Sequence, residues 1–291
     1  MLVNVGLVQA LMSGLLMGFV YSLIALGLSL IYGVMDVVNF AHGEFLMLGM
    51  FLAYWFSVLF RLDPLIAIFI IIPVLFLVGV GIYKGLIKRI LNGTRISQIL
   101  TTFGLSVFMA NMAMFLWTPN YRLAERHLTS TTGDLSIFGV YLGVPELIAS
   151  VGSILVFAFA YYLIRFTRTG RAIQATSIDS EGARLVGINI DNIYAITFGL
   201  GISCVGAAGV LLATFYYIFP YVGTFFSMIA FATVALGGFG SVEGSFVAGI
   251  LIGIIESLGG FFISPAVKYA IVFMTYMVVI ILRPATGLFG W

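Results

Sequence analysis

The chain has 291 residues, of which 62% are hydrophobic and 8% are charged, and its mean hydropathy is +1.18. Soluble domains carry about a quarter charged residues because their surfaces face water, so this composition excludes a soluble globule and predicts a chain surrounded by lipid. The formal net charge of +2 is too small to indicate a nucleic-acid partner. The single cysteine, Cys204, excludes a disulfide framework.

Apolar runs that are long enough to cross a bilayer follow one another along the chain. A helix needs about 20 residues at 1.5 Å each to cross ~30 Å of hydrocarbon. The predicted full spans are 7–33, 41–60, 64–84, 96–117, 144–165, 192–217, 245–263 and 266–283. A shorter run near 224–237 predicts a partial or re-entrant segment. We therefore predict an all-α polytopic membrane protein of about eight transmembrane helices, with 1–291 as a single transmembrane domain.

The positions of the bases predict the orientation in the membrane. Two connections that are separated by two spans hold most of them: Lys84, Lys88, Arg89, Arg95, Arg165, Arg168, Arg171 and Arg184. Bases collect on the cytoplasmic side, so both connections are expected there, and loop 118–143 then faces outward. That loop has a mixed set of charged or titratable residues: Arg122, Glu125, Arg126, His127 and Asp134. Arg283 ends the last span, which places the C-terminus in the cytoplasm and the N-terminus outside.

The stretch NFAHGEF, residues 39–45, puts Asn39, His42 and Glu44 between two apolar runs. Too few residues separate the first span from Arg61 for a wet loop and a full second helix, so the second helix is expected to begin near residue 40. Asp36 or Asn39 would cap it, and Glu44 would lie against the positive end of its dipole. Two interpretations stay open: a helix start at the cytoplasmic interface, or a break that lines the substrate pathway or its gate.

The connection at 166–191 contains the short motif DSEGARLVGI, which predicts one or two helical turns. Asp179 or Ser180 would cap this helix and Gly187 would end it. Its apolar residues Ala183, Leu185 and Val186 are then expected to be exposed, since the connection has no domain to bury them. An exposed apolar helix predicts a docking element for a partner, and the alternative is a helix lying back on the membrane face.

Other polar or small residues within the spans indicate packing. Small-xxx-small pairs at Gly14/Gly18, Gly81/Gly85 and Gly249/Gly253 predict close helix contacts. Glu256 has no cation near it in sequence and is expected to be hydrogen-bonded to a neighbouring helix or subunit. Glu243, in a glycine-rich break, is expected to reach water. A faint internal repeat places AHGEFLMLG (41–49) on VEGSFVAGI (242–250), with Gly43 matching Gly244.

Catalytic and nucleotide motifs are absent from the sequence. It has no G-x-x-x-x-G-K-[ST], no H-E-x-x-H and no G-x-S-x-G, so we expect no ATP site, no metal site and no enzymatic activity in this chain. A transporter is favoured. A passive channel for small neutral solutes is the alternative from another class, because paired glycine-rich half-helices would also suit it, and a membrane enzyme is disfavoured.

Several stretches together resemble the permeases of branched-chain amino-acid ABC importers, the LivH type in particular. They are YGVMDVVNFAHGEFLMLG (32–49), RTGRAIQATSIDSEGARLVGINIDN (168–192), GVLLATFYY (209–217) and ALGGFGSVEGSFVAGILIGIIE (235–256). They run over nearly the whole chain in the family's order and spacing. One departure is IQATSIDSEGARLVGI, where many relatives have an alanine-rich run before the A-x-L-x-GI ending.

The resemblance implies a permease of the bacterial inner membrane that carries branched-chain or related amino acids. It implies a second, LivM-like permease subunit, two cytoplasmic ATPases that bind ATP and Mg²⁺, and a periplasmic binding protein that docks on the outward face. It also implies a coupling helix within 171–187, seated in a groove of the ATPase. The residues of that helix are Asp179, Glu181, Gly182, Ala183, Arg184, Leu185 and Gly187. Family members also carry urea, short amides and aromatic or other organic acids, so those substrates stay open.

Overall fold

The computed structural model describes residues 2–124, 135–137 and 140–282. The helices, in chain order, are α1 (Leu2–Met35), α2 (His42–Phe60), α3 (Ile68–Ile82), α4 (Lys88–Ile90), α5 (Arg95–Trp117), α6 (Val144–Phe166), α7 (Arg168–Ile178), α8 (Ser180–Leu185), α9 (Ile190–Leu212), α10 (Val222–Gly237), α11 (Val242–Phe262) and α12 (Lys268–Leu282). A π-helical turn, Tyr83–Ile87, joins α3 to α4 in one continuous rod.

Seven of the described helices are long and apolar enough to cross a membrane. The predicted partial segment at 224–237 is the 16-residue helix α10. The span predicted at 266–283 is a 3-10 turn followed by α12, which is described only as far as Leu282. The prediction of an all-α polytopic membrane protein is confirmed. A short hairpin, Leu135–Ile137 paired with Val140–Leu142, lies in the predicted outward loop and was not predicted.

Glycines bring α1 and α11 into backbone contact over two turns. A Cβ placed on Gly14 would lie 2.8 Å from the carbonyl oxygen of Gly253, and one on Gly18 would lie 2.7 Å from the Cα of Ile250. Two of the predicted glycine pairs therefore form a single helix interface. The third prediction is wrong for the described residues, because a Cβ on Gly81 or Gly85 meets nothing within 4 Å.

Helix α9 is the centre of the bundle, and α1, α2, α3 and α6 pack around it. Its glycines let the neighbours approach closely: Gly201 lies against Gly27 of α1, and Gly206 lies against Gly49 of α2. Cys204, also on α9, is buried and free, as expected for a small apolar residue.

The two basic connections lie at the same end of the bundle, as predicted. Lys88, after α3, has its Nζ 2.7 Å from Oδ2 of Asp191, at the start of α9. The hydroxyl of Tyr83 donates to the other oxygen of Asp191 at 2.9 Å. We call this end of the bundle, marked by Lys88 and Asp191, the basic end. At the opposite end Arg122 forms a two-way backbone bridge with Ile218, whereas Glu125, Arg126, His127, Asp134 and Arg283 lie outside the described residues.

Glu256 is buried on α11 and both of its carboxylate oxygens have partners. The hydroxyl of Tyr21 on α1 donates to Oε2 at 2.5 Å, and Nζ of Lys268 lies 2.9 Å from Oε1. The predicted bond to a neighbouring helix is confirmed. The cation was missed because Lys268 is twelve residues away and comes near Glu256 only when the chain turns between α11 and α12.

This ion pair makes a testable contribution to stability. The variant Lys268→Met leaves a buried, unpaired carboxylate and should lower the free energy of unfolding in detergent by about 1–3 kcal/mol, below the figure for a fully buried pair because the lysine is partly exposed. Adding Glu256→Gln should recover most of the loss. The exposed Lys84→Met is the matched control. A double variant as unstable as Lys268→Met would contradict this assignment.

Candidate functional site

The segment between α1 and α2 runs back into the bundle from the basic end. Its contacts with successive residues of α5 show how deep into the bundle it reaches. Asp36 pairs with Arg95 at the start of α5 at 2.9 Å, and the hydroxyl of Thr102 donates to the carbonyl oxygen of Val38 at 3.0 Å. Ser106 then donates to Oε1 of Glu44 at 3.2 Å. Ser106 is 11 residues beyond Arg95, about 16 Å along the helix axis. Glu44 therefore lies about halfway through the bundle.

Helix α2 starts within the bundle and not at its surface. It begins at His42, whereas the sequence predicted a start near residue 40. The predicted cap by Asp36 is wrong, because Asp36 turns away to pair with Arg95. Asn39 does not cap the first helical turn either: its Oδ1 accepts from the backbone N–H of Ala41 at 3.1 Å and so closes the turn before the helix.

A second helix start meets the first at the same depth. The hydroxyl of Ser227 on α10 accepts from the backbone N–H of Gly43 at 2.8 Å. Gly43 and Gly223 are in backbone contact, since a Cβ on Gly223 would lie 2.5 Å from the carbonyl oxygen of Gly43. Only glycine at both positions allows this approach. The N-termini of two discontinuous helices, each with the positive end of its dipole, thus meet inside the bundle.

The three predicted site residues are brought together in this region, and all three are buried. His42 donates from Nε2 to the carbonyl oxygen of Ile24 at 2.9 Å. Glu44 accepts through Oε1 from Ser106 and, at 3.4 Å, from Thr224 of α10. Each of the three residues has one buried polar atom with no hydrogen-bond partner among the described residues: Nδ2 of Asn39, Nδ1 of His42 and Oε2 of Glu44. All three side chains are shielded from the surface of this chain, which disfavours the interpretation of a helix start at the interface.

Sequence reasoning missed the side chains that complete this site: Thr102, Ser106, Thr224 and Ser227. They lie on α5 and α10, far from Glu44 in sequence. Single hydroxyls in an apolar helix usually bond to their own backbone, so composition alone did not distinguish them. The one available signal was the internal repeat. Gly43 packs on the start of α10, and its predicted counterpart Gly244 packs against Gly237 at the end of α10.

The predicted helix at the basic end is present as α8. Asp179 caps it, with Oδ1 accepting from the backbone N–H groups of Glu181 and Gly182 at 3.0 Å, and Gly187 ends it at φ +89°. Ile178, Leu185 and Val186 are 86%, 88% and 78% exposed. The expected exposure of Ala183 is wrong, because this residue lies on the side of α8 turned toward the bundle and is buried. Glu181 and Arg184 are exposed around the apolar face.

A polar cavity of about 610 Å³ connects α8 with the break between α1 and α2. Its wall includes Asp36 from the break, Thr176 and Ser180 from the α7–α8 region, and Gly240 from the turn before α11. Gly240 itself contacts Gly33 near the end of α1. Helix α7, which leads directly into α8, also packs on α1, so a displacement of α7 and α8 would act on the helix that leads to the break.

Seven apolar helices of spanning length, two helix starts inside the bundle around a buried carboxylate, and an exposed apolar helix at the basic end define a membrane transport protein. The family described as "Branched-chain amino acid transport system / permease component" matches residues 10–282. The chain belongs to this family, and it is a multi-pass membrane protein.

Similar proteins include the high-affinity branched-chain amino acid transport system permease protein LivH of Salmonella typhimurium, 29% identical over 97% of this chain and 95% of that protein. BraD of Pseudomonas aeruginosa has the same identity and coverage. The fructose import permease protein FrcC of Rhizobium meliloti is 23% identical over 62% of this chain and 53% of that protein. The solved structure of PsaBC from Streptococcus pneumoniae in complex with Fab has a TM-score of 0.49 at 10% identity, too low to carry an argument.

The contact between the two helix starts can be tested with a single methyl group. Gly223→Ala would place a Cβ within 2.5 Å of the carbonyl oxygen of Gly43 and 2.8 Å of Oε2 of Glu44, so it should lower the stability of the protein by about 1–3 kcal/mol. Gly81→Ala is the control, because a Cβ there meets nothing and the helix gains propensity. Melting temperatures in detergent measure both. Equal melting temperatures would contradict the close approach.

Proposed function

We propose that this chain is the translocating subunit of an ABC importer for branched-chain or related amino acids. The observation that carries the proposal is the exposed apolar surface around the capped helix α8, formed by Ile178 at the end of α7, Leu185 at the end of α8 and Val186 directly after it. Large apolar side chains displayed together on a short helix favour insertion into a partner's groove. Membership of the permease family and the names of its relatives support an ATPase as that partner.

In the proposed assembly this chain pairs with a second, LivM-like permease subunit. Two cytoplasmic ATPases bind ATP and Mg²⁺, and a periplasmic binding protein delivers the substrate, so this chain needs no cofactor and catalyses no reaction. The basic end faces the cytoplasm, with the N-terminus outside and the C-terminus inside, because bases are retained on the cytoplasmic side. Helix α5 supports the pairing, since it exposes many large apolar side chains and only a small part of it is buried in this chain.

The mechanism that we propose is alternating access driven by the ATPases. Closure of the ATPases moves the coupling helix, whose residues are Asp179, Glu181, Gly182, Ala183, Arg184, Leu185 and Gly187. The packing of α7 on α1, beside the polar cavity, passes this motion to the end of α1 and to the break that follows it. Asn39, His42 and Glu44 act as pathway or gate residues, because the break places them where two helix starts meet. Nucleotide then biases two conformations of this region.

The structure and the relatives constrain the identity of the substrate less than they constrain the type of transport. The relatives with the highest identity are named for branched-chain amino acids, and a more distant one is named for fructose. Urea, short amides and aromatic or other organic acids are the alternative substrates. Uptake measured with the chain's own binding protein decides among them. A passive channel is disfavoured because a channel needs no exposed coupling helix and no ATPase.

The coupling helix is tested by replacing Leu185. Leu185→Asp puts a charge in the ATPase groove and should reduce ATP-driven uptake at least about tenfold and uncouple ATP hydrolysis from transport, because desolvating one carboxylate costs several kcal/mol. Asn92→Asp is the control, since Asn92 is exposed in the turn between α4 and α5 and lies outside α7 and α8. Uptake and ATPase activity are measured in proteoliposomes.

Retained coupling in Leu185→Asp would remove the docking proposal.

A purification from native membranes tests the function as a whole: the tagged chain should bring down nucleotide-binding subunits. Recovery of a complex with no such subunit would favour the passive channel.

A further inference from the structure

Glu44 is a buried carboxylate without a cation. Its residue is 1% exposed, and none of the ion pairs formed by the described residues includes it. Oε1 accepts from Ser106 and Thr224, whereas Oε2 has no hydrogen-bond partner. A buried carboxylate with an oxygen that no donor reaches is costly when it is ionised, so such a group either holds a proton or binds a cation.

Glu256 provides a comparison within the same chain, because it is a buried carboxylate whose contacts stabilise the fold. There, Tyr21 donates to one oxygen and Lys268 pairs with the other. Glu44 has two hydroxyl donors on a single oxygen and the positive ends of two helix dipoles, which offset part of its charge and leave Oε2 free. The contrast indicates that the missing partner of Glu44 comes from outside the chain.

The surroundings of Glu44 allow such a partner to reach it. Ser106 and Thr224 cover the carboxylate from two different helices, and Thr224 is exposed on the surface of this chain. Helix α5 is joined to this region by a short series of side-chain contacts along its length, among them Ser106 with Glu44 and Trp117 with Phe51. A shift of α5 by a few ångströms would break the bond from Ser106 to Oε1 and uncover the carboxylate on that side.

We propose that Glu44 binds the ammonium group of the amino-acid substrate as the substrate crosses the membrane. This inference rests on the proposed function and narrows it: a substrate with a primary ammonium group is favoured, whereas urea and short amides donate only neutral hydrogen bonds to the carboxylate and organic acids carry a charge of the same sign. An ammonium donates several charge-assisted hydrogen bonds, so it can bond to Oε2 and replace the bond from Ser106 to Oε1.

The test uses the full complex in proteoliposomes, with its binding protein, ATP and labelled leucine. Glu44→Gln keeps the shape of the side chain and the acceptor for Ser106 but removes the charge. It should lower uptake about 10- to 100-fold, the value of a charge-assisted bond, while ATPase activity stimulated by the binding protein persists. Glu44→Asp should recover part of the uptake. Glu146→Gln, a carboxylate in the first turn of α6 and outside the site, should transport as the wild type does.

Competition for leucine binding to the detergent-solubilised permease–ATPase complex separates recognition from a structural role. Isopentylamine carries the ammonium without the carboxylate, and 4-methylpentanoate carries the carboxylate without the ammonium. The amine should displace leucine from the wild-type complex and the acid should not. Wild-type uptake by Glu44→Gln, or displacement by the acid alone, overturns the inference.

The same measurements distinguish a failure of this inference from a failure of the proposed function. A wild-type complex that carries leucine while Glu44→Gln carries it equally well removes only the role of Glu44. A wild-type complex that carries no amino acid, with or without ATP, removes the proposed importer function, and the role of Glu44 with it.

Discussion

The fold depends on one constraint, which is that a break in a helix at membrane depth must have its backbone groups bonded by other parts of the protein. The chain leaves helical geometry after α1 and returns to it only at His42. Thr102 of α5 bonds the carbonyl of Val38, and Ser227 of α10 accepts from Gly43. The helices that surround the break are therefore required by it, and hydroxyls in otherwise apolar helices lie where the break needs them.

A second requirement is that the protein around a polar break must pack closely enough to keep out lipid and water. Backbone contact between glycines provides this packing. Gly43 lies on Gly223 at the start of α10, and Gly244 lies on Gly237 at its end. The short helix α10 is thus held at both termini by the first turns of α2 and α11, the two stretches that the faint sequence repeat aligned. Close backbone contact at both ends therefore joins α10 to α2 and to α11.

The sequence predicted the features that depend on residues close together in the chain and missed those that depend on contacts between distant residues. Hydropathy located the spans, and turn chemistry located both ends of α8, because Asp179 and Gly187 act on residues close to them in the chain. The depth of Glu44 could not be predicted, since it depends on contacts with Ser106 and Thr224 made across the bundle. The interface cap at Asp36 was a reasonable local inference, but the ion pair with Arg95 replaced it. Ala183 was expected to be exposed because composition does not say which side of a short helix faces the bundle.

The arrangement also explains how a site in the middle of the bundle could respond to an event at its end. Helix α1 extends from the opposite end to the basic end, and the carbonyl of Ile24, partway along it, binds His42. The same helix ends beside the cavity that α7 and α8 line, next to Asp36. Because α7 packs on α1, and α1 and the break form one continuous stretch of chain, a displacement of α7 and α8 must either be absorbed in the six residues before His42 or be passed to the start of α2. Those six residues are bonded to α5 at two points, through Asp36 and Val38, so the motion reaches α5 as well. The helix that covers Glu44 is therefore mechanically connected to the helix that would contact the ATPase.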